Sequence, residues 1–309
     1  MLRLTATVVT LAVLAALAAP ARTQTNTVSV VTPPVDSAAE IFFAKDMGFF
    51  AKQGLEVVIQ PGTNGSAMAS AVSTDAVDIG YSDLVTLAKA HLKGIQFVAV
   101  APAALWTSAA PVAGLVVPAS SPIKSAKDLA GKVIAIPGLA TLAEYSPRAW
   151  IDQNGGDATT AKFIEMPYST MPAALTAGRI DAAYISEPFL AIVKNNVRIL
   201  GYPHNAVARQ FLQSAWFTTP QWAKDHPDLV RRFAAALHET ALWANQRGNQ
   251  TKSAEILAKY SKADLATVMA MERARFAETL TAASIQPAID VSAKYGNFES
   301  FPADVLIYR

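Results

Sequence analysis

Two glycine-containing loops, Gly62–Ser66 and Pro137–Thr141, are the clearest places in this sequence where a ligand could be held. Each follows a short β-branched run and comes just before a helical pattern. Neither carries the lysine of a polyphosphate-binding loop. Free backbone N–H groups at a helix start suit a carboxylate, a sulfonate or a similar anion. We therefore expect anion recognition at these loops; the alternative is that both are plain turns.

The first loop opens an internal repeat in which residues 66–81 align with residues 169–184. The identical pairs are Ser66 and Ser169, Met68 and Met171, Ala71 and Ala174, Asp78 and Asp181, and Tyr81 and Tyr184. Both tyrosines end a short apolar strand, and open α/β sheets bind ligands beyond the carboxyl ends of their strands. We predict that Tyr81 and Tyr184 face one cleft. The alternative is that each ring completes the core with its hydroxyl at the rim.

Several kinds of chemistry are excluded or disfavoured by composition and spacing. The chain has no cysteine, which excludes disulfides, thiol catalysis, iron–sulfur clusters and zinc–thiolate sites. The four histidines, at positions 91, 204, 226 and 238, lack metal-ligand spacing and are predicted to be solvated or to lie on helix surfaces. No nucleophile elbow occurs. We therefore predict no catalytic residues, no metal and no cofactor. A net charge of +2 excludes a nucleic-acid-binding protein that depends on phosphate neutralisation.

The elements that position these residues alternate between strands and helices. Short runs such as Val28–Val31 and Lys132–Ile136 are separated by helical patterns, which is typical of an α/β fold with mainly parallel sheets. After Pro220 the pattern is helical to about Ala283, and an aromatic-rich tail follows. Capping boxes are predicted where a hydroxyl precedes an acid by three residues. They are Ser37 with Glu40, Ser125 with Asp128, Thr141 with Glu144, and Ser261 with Asp264.

The N-terminus has the pattern of a cleavable secretory signal. A basic start is followed by an apolar run, Leu4–Ala19, and by small residues ending at Ala21. The run is shorter than the roughly 20 residues of a spanning helix. We predict that residues 1–21 are removed, with cleavage after Ala18 as the alternative. Because lipid anchoring needs a cysteine, we expect a free periplasmic protein.

Four stretches, in this order, resemble the nitrate/sulfonate/taurine and pyrimidine-precursor family of periplasmic solute-binding proteins that serve ABC importers. The stretches are Ala44–Val57, Val77–Asp83, Ser125–Gly138 and Gly178–Phe189. The resemblance extends from about Val28 to Thr240.

The resemblance implies a two-lobed, type II periplasmic binding protein fold of the α/β class. The chain would cross between the lobes twice, near Ala113–Val117 and near Ser214–Thr218. Lobe 1 would comprise residues 26–113 and 217–309, including the helical C-terminal part, and lobe 2 residues 114–216.

The resemblance also implies which loops face the ligand. Carried over by position, the ligand-binding residues are Pro34, Asp36, Ser37, Asn64, Gly65, Ser66, Tyr81, Ser82, Trp106, Gly138, Thr141, Tyr184 and Glu187. Glu187 fits a simple anion poorly. It could accept a hydrogen bond from an amino or ring N–H group, which favours a mixed donor–acceptor solute over nitrate. Its alternative role is a carboxylate bonded to backbone.

The implied function is that of a monomer that traps a small solute and presents it to a membrane permease. The solute would be a sulfonate, taurine, an aromatic carboxylate or a pyrimidine-type compound. Two other classes stay open: an enzyme on the same fold, and a ligand-sensing docking protein. The absence of cysteine argues against the first, because the resembling thiamine-pyrimidine synthases carry a cysteine-rich segment.

Overall fold

The computed structural model describes residues 26–62 and 65–309. The predicted signal segment, residues 1–21, and Asn64 lie outside the described residues. The strands are β1 (Thr27–Thr32), β2 (Glu56–Pro61), β3 (Ile79–Asp83), β4 (Val98–Pro102), β5 (Ala104–Thr107), β6 (Ala113–Pro118), β7 (Val133–Ile136), β8 (Lys162–Glu165), β9 (Ala182–Ser186), β10 (Val197–Gly201), β11 (Gln210–Leu212), β12 (Ser214–Thr218) and β13 (Arg275–Phe276). The helices are α1 (Glu40–Asp46), α2 (Phe49–Lys52), α3 (Gly65–Ser73), α4 (Leu84–Leu92), α5 (Leu142–Gln153), α6 (Met171–Thr176), α7 (Phe189–Val193), α8 (Pro220–Asp225), α9 (Pro227–Ala244), α10 (Gln250–Ser261), α11 (Leu265–Ala270) and α12 (Ala282–Gly296).

Two five-stranded sheets form the frame of the molecule. The first has the order β2-β1-β3-β12-β4, and the second has the order β10-β6-β9-β7-β8. A third sheet has three strands in the order β11-β5-β13; β5 and β11 lie in the two stretches of chain that connect the larger sheets, and β13 comes from the C-terminal part. The strands of the first sheet come from residues 27–102 and 214–218, and those of the second from residues 113–201. The α/β class and the two-lobed architecture are therefore present.

Each sheet is mixed, so the expectation of mainly parallel sheets is only partly correct. β1 runs parallel to β2 and β3, whereas β12 is antiparallel to β3 and β4. In the second sheet β7 runs parallel to β8 and β9, whereas β6 is antiparallel to β9 and β10. The antiparallel strands are the two at which the chain crosses between sheets. The chain enters each of these two strands directly from the other half of the molecule. Each strand therefore runs in the direction opposite to its neighbours.

The predicted helical C-terminal part packs on the first sheet. Helix α9 contacts α1, α2 and β4. Aromatic pairs fill this contact: Phe50 stacks on Phe233 with ring centroids 5.4 Å apart, and Phe43 meets Trp243 edge-on at 5.9 Å. Burial of such large rings supplies much of the stabilising apolar contact.

The end of the chain is more ordered than the predicted irregular tail. Helix α12 contacts both α4 and α5. A 3₁₀ turn at Ala303–Leu306 follows, and Ile307 then forms a parallel bridge with Ala99 of β4. The Tyr308 backbone N–H donates to the Ala99 carbonyl at 3.0 Å. The tail thus lies along the outer edge of the first sheet.

Only one predicted capping box is formed. Asp128 accepts the backbone N–H of Ser125 at 2.9 Å. Helix α1 begins at Glu40 without a side-chain cap, and the Thr141 side chain does not cap α5. Asp264 is itself the cap of α11. The spacing between a hydroxyl residue and an acid was therefore not enough to distinguish a true capping box from side chains that bond elsewhere.

No helix in residues 26–62 and 65–309 is both long and apolar enough to cross a membrane.

Candidate functional site

A cavity of about 140 Å³ lies where the carboxyl ends of the parallel strands of both sheets meet. From the first sheet it is lined by Pro33, Val35, Ser37, Gly65, Met68, Tyr81, Ser82, Asp83, Gln213 and Ser214. From the second it is lined by Pro137, Gly138, Thr141, Leu142, Ala143, Tyr168, Tyr184, Ser186 and His204. Such an edge is where open α/β sheets bind ligands. An engineered apolar cavity of about 150 Å³ binds benzene, so this space suits a solute of about one ring.

Tyr81 and Tyr184 line this cavity from opposite sheets, each as the third residue of its strand. The Tyr81 hydroxyl donates to Ser37 Oγ at 3.0 Å. The Tyr184 hydroxyl lies 3.0 Å from Nε2 of His204, and the two rings stack 5.4 Å apart at 15°. Burial raises the pKa of Tyr81 to about 12 and holds that of Tyr184 well above its usual value. Both tyrosines are therefore neutral phenols at physiological pH.

His204 is buried in the cavity wall, so its predicted solvated position is wrong. It is 3% exposed and follows β10 in a 3₁₀ turn. Ser146 Oγ lies 2.9 Å from its Nδ1, and the Trp106 ring centroid is 4.8 Å from its own. Burial lowers the pKa of His204 to about 3, which keeps the imidazole neutral. The ring therefore contributes hydrogen bonds and a flat face, and no positive charge.

Two buried polar side chains in the lining lack a hydrogen-bond partner among the described residues. They are Ser82 through Oγ and Gln213 through Nε2. Their residues are 1% and 7% exposed. An unpaired buried polar group costs about 1–3 kcal/mol, and native proteins pair nearly all of them. These two atoms can therefore offer a solute one amide donor and one hydroxyl.

The lining contains many of the predicted ligand-binding residues: Ser37, Gly65, Tyr81, Ser82, Gly138, Thr141 and Tyr184. The Thr141 hydroxyl donates to the Gly138 carbonyl at 2.7 Å, so it shapes the loop. Whether each of the seven touches a solute stays a prediction.

The structure places the other predicted residues outside this lining. Asp36 is fully buried and forms an ion pair with Arg273 at 3.0 Å. Trp106 donates from Nε1 to Asn205 at 3.1 Å. Glu187 accepts the Ala191 backbone N–H at 2.9 Å, which matches its alternative role. Ser66 borders a neighbouring groove instead, and Pro34 is half-buried beside the cavity loop.

Sequence reasoning missed Asp83, Tyr168, Ser186, His204, Gln213 and Ser214 as lining residues. Tyr168 follows β8, so the rule that led to Tyr184 could have found it. Gln213 and Ser214 precede or start β12, and an antiparallel strand begins where its parallel neighbours end. The direction of that strand was the missing information. For His204 no local pattern gave a signal.

No group of three or more histidine or acidic side chains in the described ranges could hold a metal ion. The lining groups are hydroxyls, an amide, a neutral imidazole and the Asp83 carboxyl group. The arrangement can therefore hold a small polar solute by hydrogen bonds and ring contacts.

Comparisons with known proteins agree with this architecture. A protein of Brucella abortus that is described as a binding protein is 26% identical over 240 residues, which cover 73% of this chain and 68% of that protein. The alkanesulfonate-binding protein of Xanthomonas axonopodis pv. citri, solved with MOPS bound, has a TM-score of 0.76 at 15% identity over 92% of this chain and 98% of that one. The periplasmic nitrate-binding protein of Synechocystis PCC 6803 has a TM-score of 0.68 at 14% identity over 80% and 69%.

An enzyme shares the fold as well. The desulfurization enzyme DSZB has a TM-score of 0.67 at 14% identity, covering 90% of this chain and 94% of that one. These structural likenesses establish the periplasmic binding protein fold. The family profile described as NMT1/THI5 like matches residues 36–250. This chain therefore belongs to the NMT1/THI5-like family and has the fold of periplasmic solute-binding proteins, as its sequence stretches predicted.

Proposed function

We propose that this chain is the periplasmic solute-binding component of an ABC importer and that it traps a small polar solute of about one ring. It acts as a monomer after export and presents the solute to a membrane permease. Support comes from the family, from relatives described as binding proteins, and from the cavity between the two sheets.

The observation that carries the proposal is the pair of unpaired polar atoms, Ser82 Oγ and Gln213 Nε2, in a cavity walled by tyrosines from both sheets. Ser82 belongs to strand β3 of the first sheet and Gln213 directly precedes strand β12 of that sheet, whereas Tyr184 comes from the second. A solute held by all three would join the sheets and favour the closed arrangement. Hinge closure of two lobes is a known route to trapping. The hinge would lie at the crossover strands β6 and β12.

A thermal-shift screen followed by small-angle scattering tests this proposal. The solutes are sulfonates, aromatic carboxylates, pyrimidines, nitrate and bicarbonate. A ligand should raise the melting temperature by mass action and reduce the radius of gyration. Gln213→Leu should weaken binding of the same ligand, whereas Gln210→Leu, at the exposed first residue of strand β11, should not. The proposal is wrong if no solute closes the protein, or if both leucine variants bind equally well.

The enzyme alternative has one feature in its favour, the buried contact between Ser146 and His204. Two facts weigh against a catalytic pair. Ser146 is fully buried in α5 and does not line the cavity, and a histidine with a pKa of about 3 is a weak base. Turnover of a bound ligand by purified protein would support the enzyme. A sensing role would instead predict docking to a receptor with no associated permease.

A further inference from the structure

The carboxylate of Asp83 lies where the N-termini of three helices approach the cavity. It caps α4, where it accepts the backbone N–H of Thr86 at 3.1 Å and the Thr86 hydroxyl at 2.7 Å. It also accepts the N–H of Leu142, the first residue of α5, at 3.1 Å. A side chain placed on Gly65, the first residue of α3, would begin 3.5 Å from Asp83 Oδ2. A negative group of the protein itself thus occupies the position predicted to hold an anionic ligand.

The rest of the lining offers no compensating positive charge. None of the described lining residues is a lysine or an arginine, and burial keeps His204 neutral. Lys89, further along α4, lies outside the lining and donates to the Ala140 carbonyl at 3.1 Å. An anionic solute would therefore meet a like charge among mostly buried residues, where charges repel each other more strongly than in bulk water.

Burial raises the pKa of Asp83, and the hydrogen bonds from Thr86 and Leu142 oppose that rise. Protonation would weaken the repulsion of an anion without creating attraction. In either protonation state the N–H of Leu142 is already satisfied by Asp83. The α5 terminus can therefore serve an anion only if Asp83 moves away.

We infer that Asp83 determines specificity by excluding anionic solutes, so that the cavity takes a neutral or cationic solute of about one ring. This inference rests on the proposed function and narrows it. Of the predicted solute classes, sulfonates and carboxylates are excluded, and nitrogen-containing solutes without net negative charge remain. Gln213 would then donate to an acceptor atom of the solute, and Ser82 would donate or accept.

Titration calorimetry with benzoate, benzamide and benzamidinium tests the inference, because these probes share one ring and nearly one shape but differ in charge. In the natural protein, benzamide or benzamidinium should bind at least about tenfold more tightly than benzoate. Asp83→Asn keeps a capping oxygen and removes the charge. It should strengthen benzoate binding about tenfold and weaken benzamidinium binding.

Asp264→Asn is the matched control. Asp264 caps α11 by accepting the N–H of Thr267 at 3.0 Å, which is the same arrangement on an exposed surface. This variant should keep the order of the natural protein. If Asp83→Asn does not fold, Asp83→Ser provides a second neutral capping residue for the same comparison.

Three results would overturn the inference: benzoate binding most tightly to the natural protein, an unchanged order in the Asp83 variants, or no binding of any probe to either protein. An anion that closes the natural protein in the wider screen would refute this inference and leave the proposed function standing. The absence of any closing solute would refute the proposed function itself.

Discussion

Asp78 and Asp181 occupy equivalent positions in the two sheets. Asp78 precedes β3 and accepts the backbone N–H of Ser29 in β1 at 2.7 Å. Asp181 precedes β9 and accepts the backbone N–H of Val133 in β7 at 2.8 Å. The strand registers also agree. In both sheets the residue after the aspartate pairs, in a parallel ladder, with the residue after the aspartate's hydrogen-bond partner. Each aspartate ties the start of the central strand to its neighbour.

Substitution of Asp78 should destabilise the protein more than substitution of Asp181. Asp78 also binds the Ser29 hydroxyl at 2.7 Å and the Trp222 indole at 2.9 Å, whereas Asp181 adds only a 3.7 Å ion pair with Lys132. We expect Asp78→Ala to lower the free energy of unfolding by about 2–3 kcal/mol and Asp181→Ala by about 1 kcal/mol. Urea unfolding measures both. Asp225→Ala, at an exposed site, should change little; equal losses at positions 78 and 181 would contradict this explanation.

The two cavity tyrosines should matter for binding through their rings. Tyr81→Ala or Tyr184→Ala should weaken the binding of a ligand found by the screen by about 1–3 kcal/mol, a tenfold to hundredfold rise in Kd. Tyr→Phe should cost less, because both hydroxyls already bond to Ser37 or His204. Calorimetry on folded variants decides. Tyr260→Ala, whose ring stacks on Phe42 elsewhere, is the control; natural affinity in both cavity variants would rule out a shared site.

His204 should make the protein sensitive to acid. Its pKa is about 3 when folded and near 6.5 when unfolded, so the unfolded state binds more protons between these values. Stability should therefore fall as the pH drops from about 6.5 towards 3, by at most about 1.4 kcal/mol per pH unit from this group. His204→Gln should flatten the dependence, measured by urea unfolding at several pH values. Exposed His238→Gln should keep the original slope, and parallel curves for all three proteins would refute the assignment.

Glu187 should make the protein less stable as the pH rises, which is opposite to the effect of His204. Burial is the main reason that its folded pKa rises to about 7, and the nearby Asp36 and Glu272 carboxylates add to the rise. The folded state then binds more protons between about pH 4.5 and 7, so the contribution to stability is present below this window and is lost as the pH rises through it. Glu187→Gln should gain stability relative to the natural protein over that range. Exposed Glu299→Gln is the control, and a constant difference across the window would contradict the prediction.

The fold was predictable because its signals are local. Alternating strands and helices, the repeat that contains Asp78 and Asp181, and most of the helical part after Pro220 follow from residue order. The short strand β13 interrupts that helical part and was not predicted. Tyr81 and Tyr184 were found for the same reason, since a strand end can be recognised without knowing its neighbours. In the structure both tyrosines line one cavity, each from the central strand of its own sheet.

The rest of the site depends on contacts between distant segments. Asp83 was visible as an acid after Tyr81, but its bond to Leu142 joins the two sheets and has no local pattern. Gln213 depends on the direction of β12, and His204 on the packing of α5 behind it. Glu187 and Asp36 were predicted to face the ligand because the family resemblance places their loops in the cleft. The backbone and Arg273 hold them instead.

The tail along β4 has a consequence for how the protein behaves in concentrated solution. β4 is an outer strand of the first sheet, and Ile307 and Tyr308 engage the backbone of Ala99 there. An uncovered outer strand is a template on which another chain can add a strand. The last residues therefore cover part of this outer strand, and we expect their removal to expose it to pairing with a second molecule.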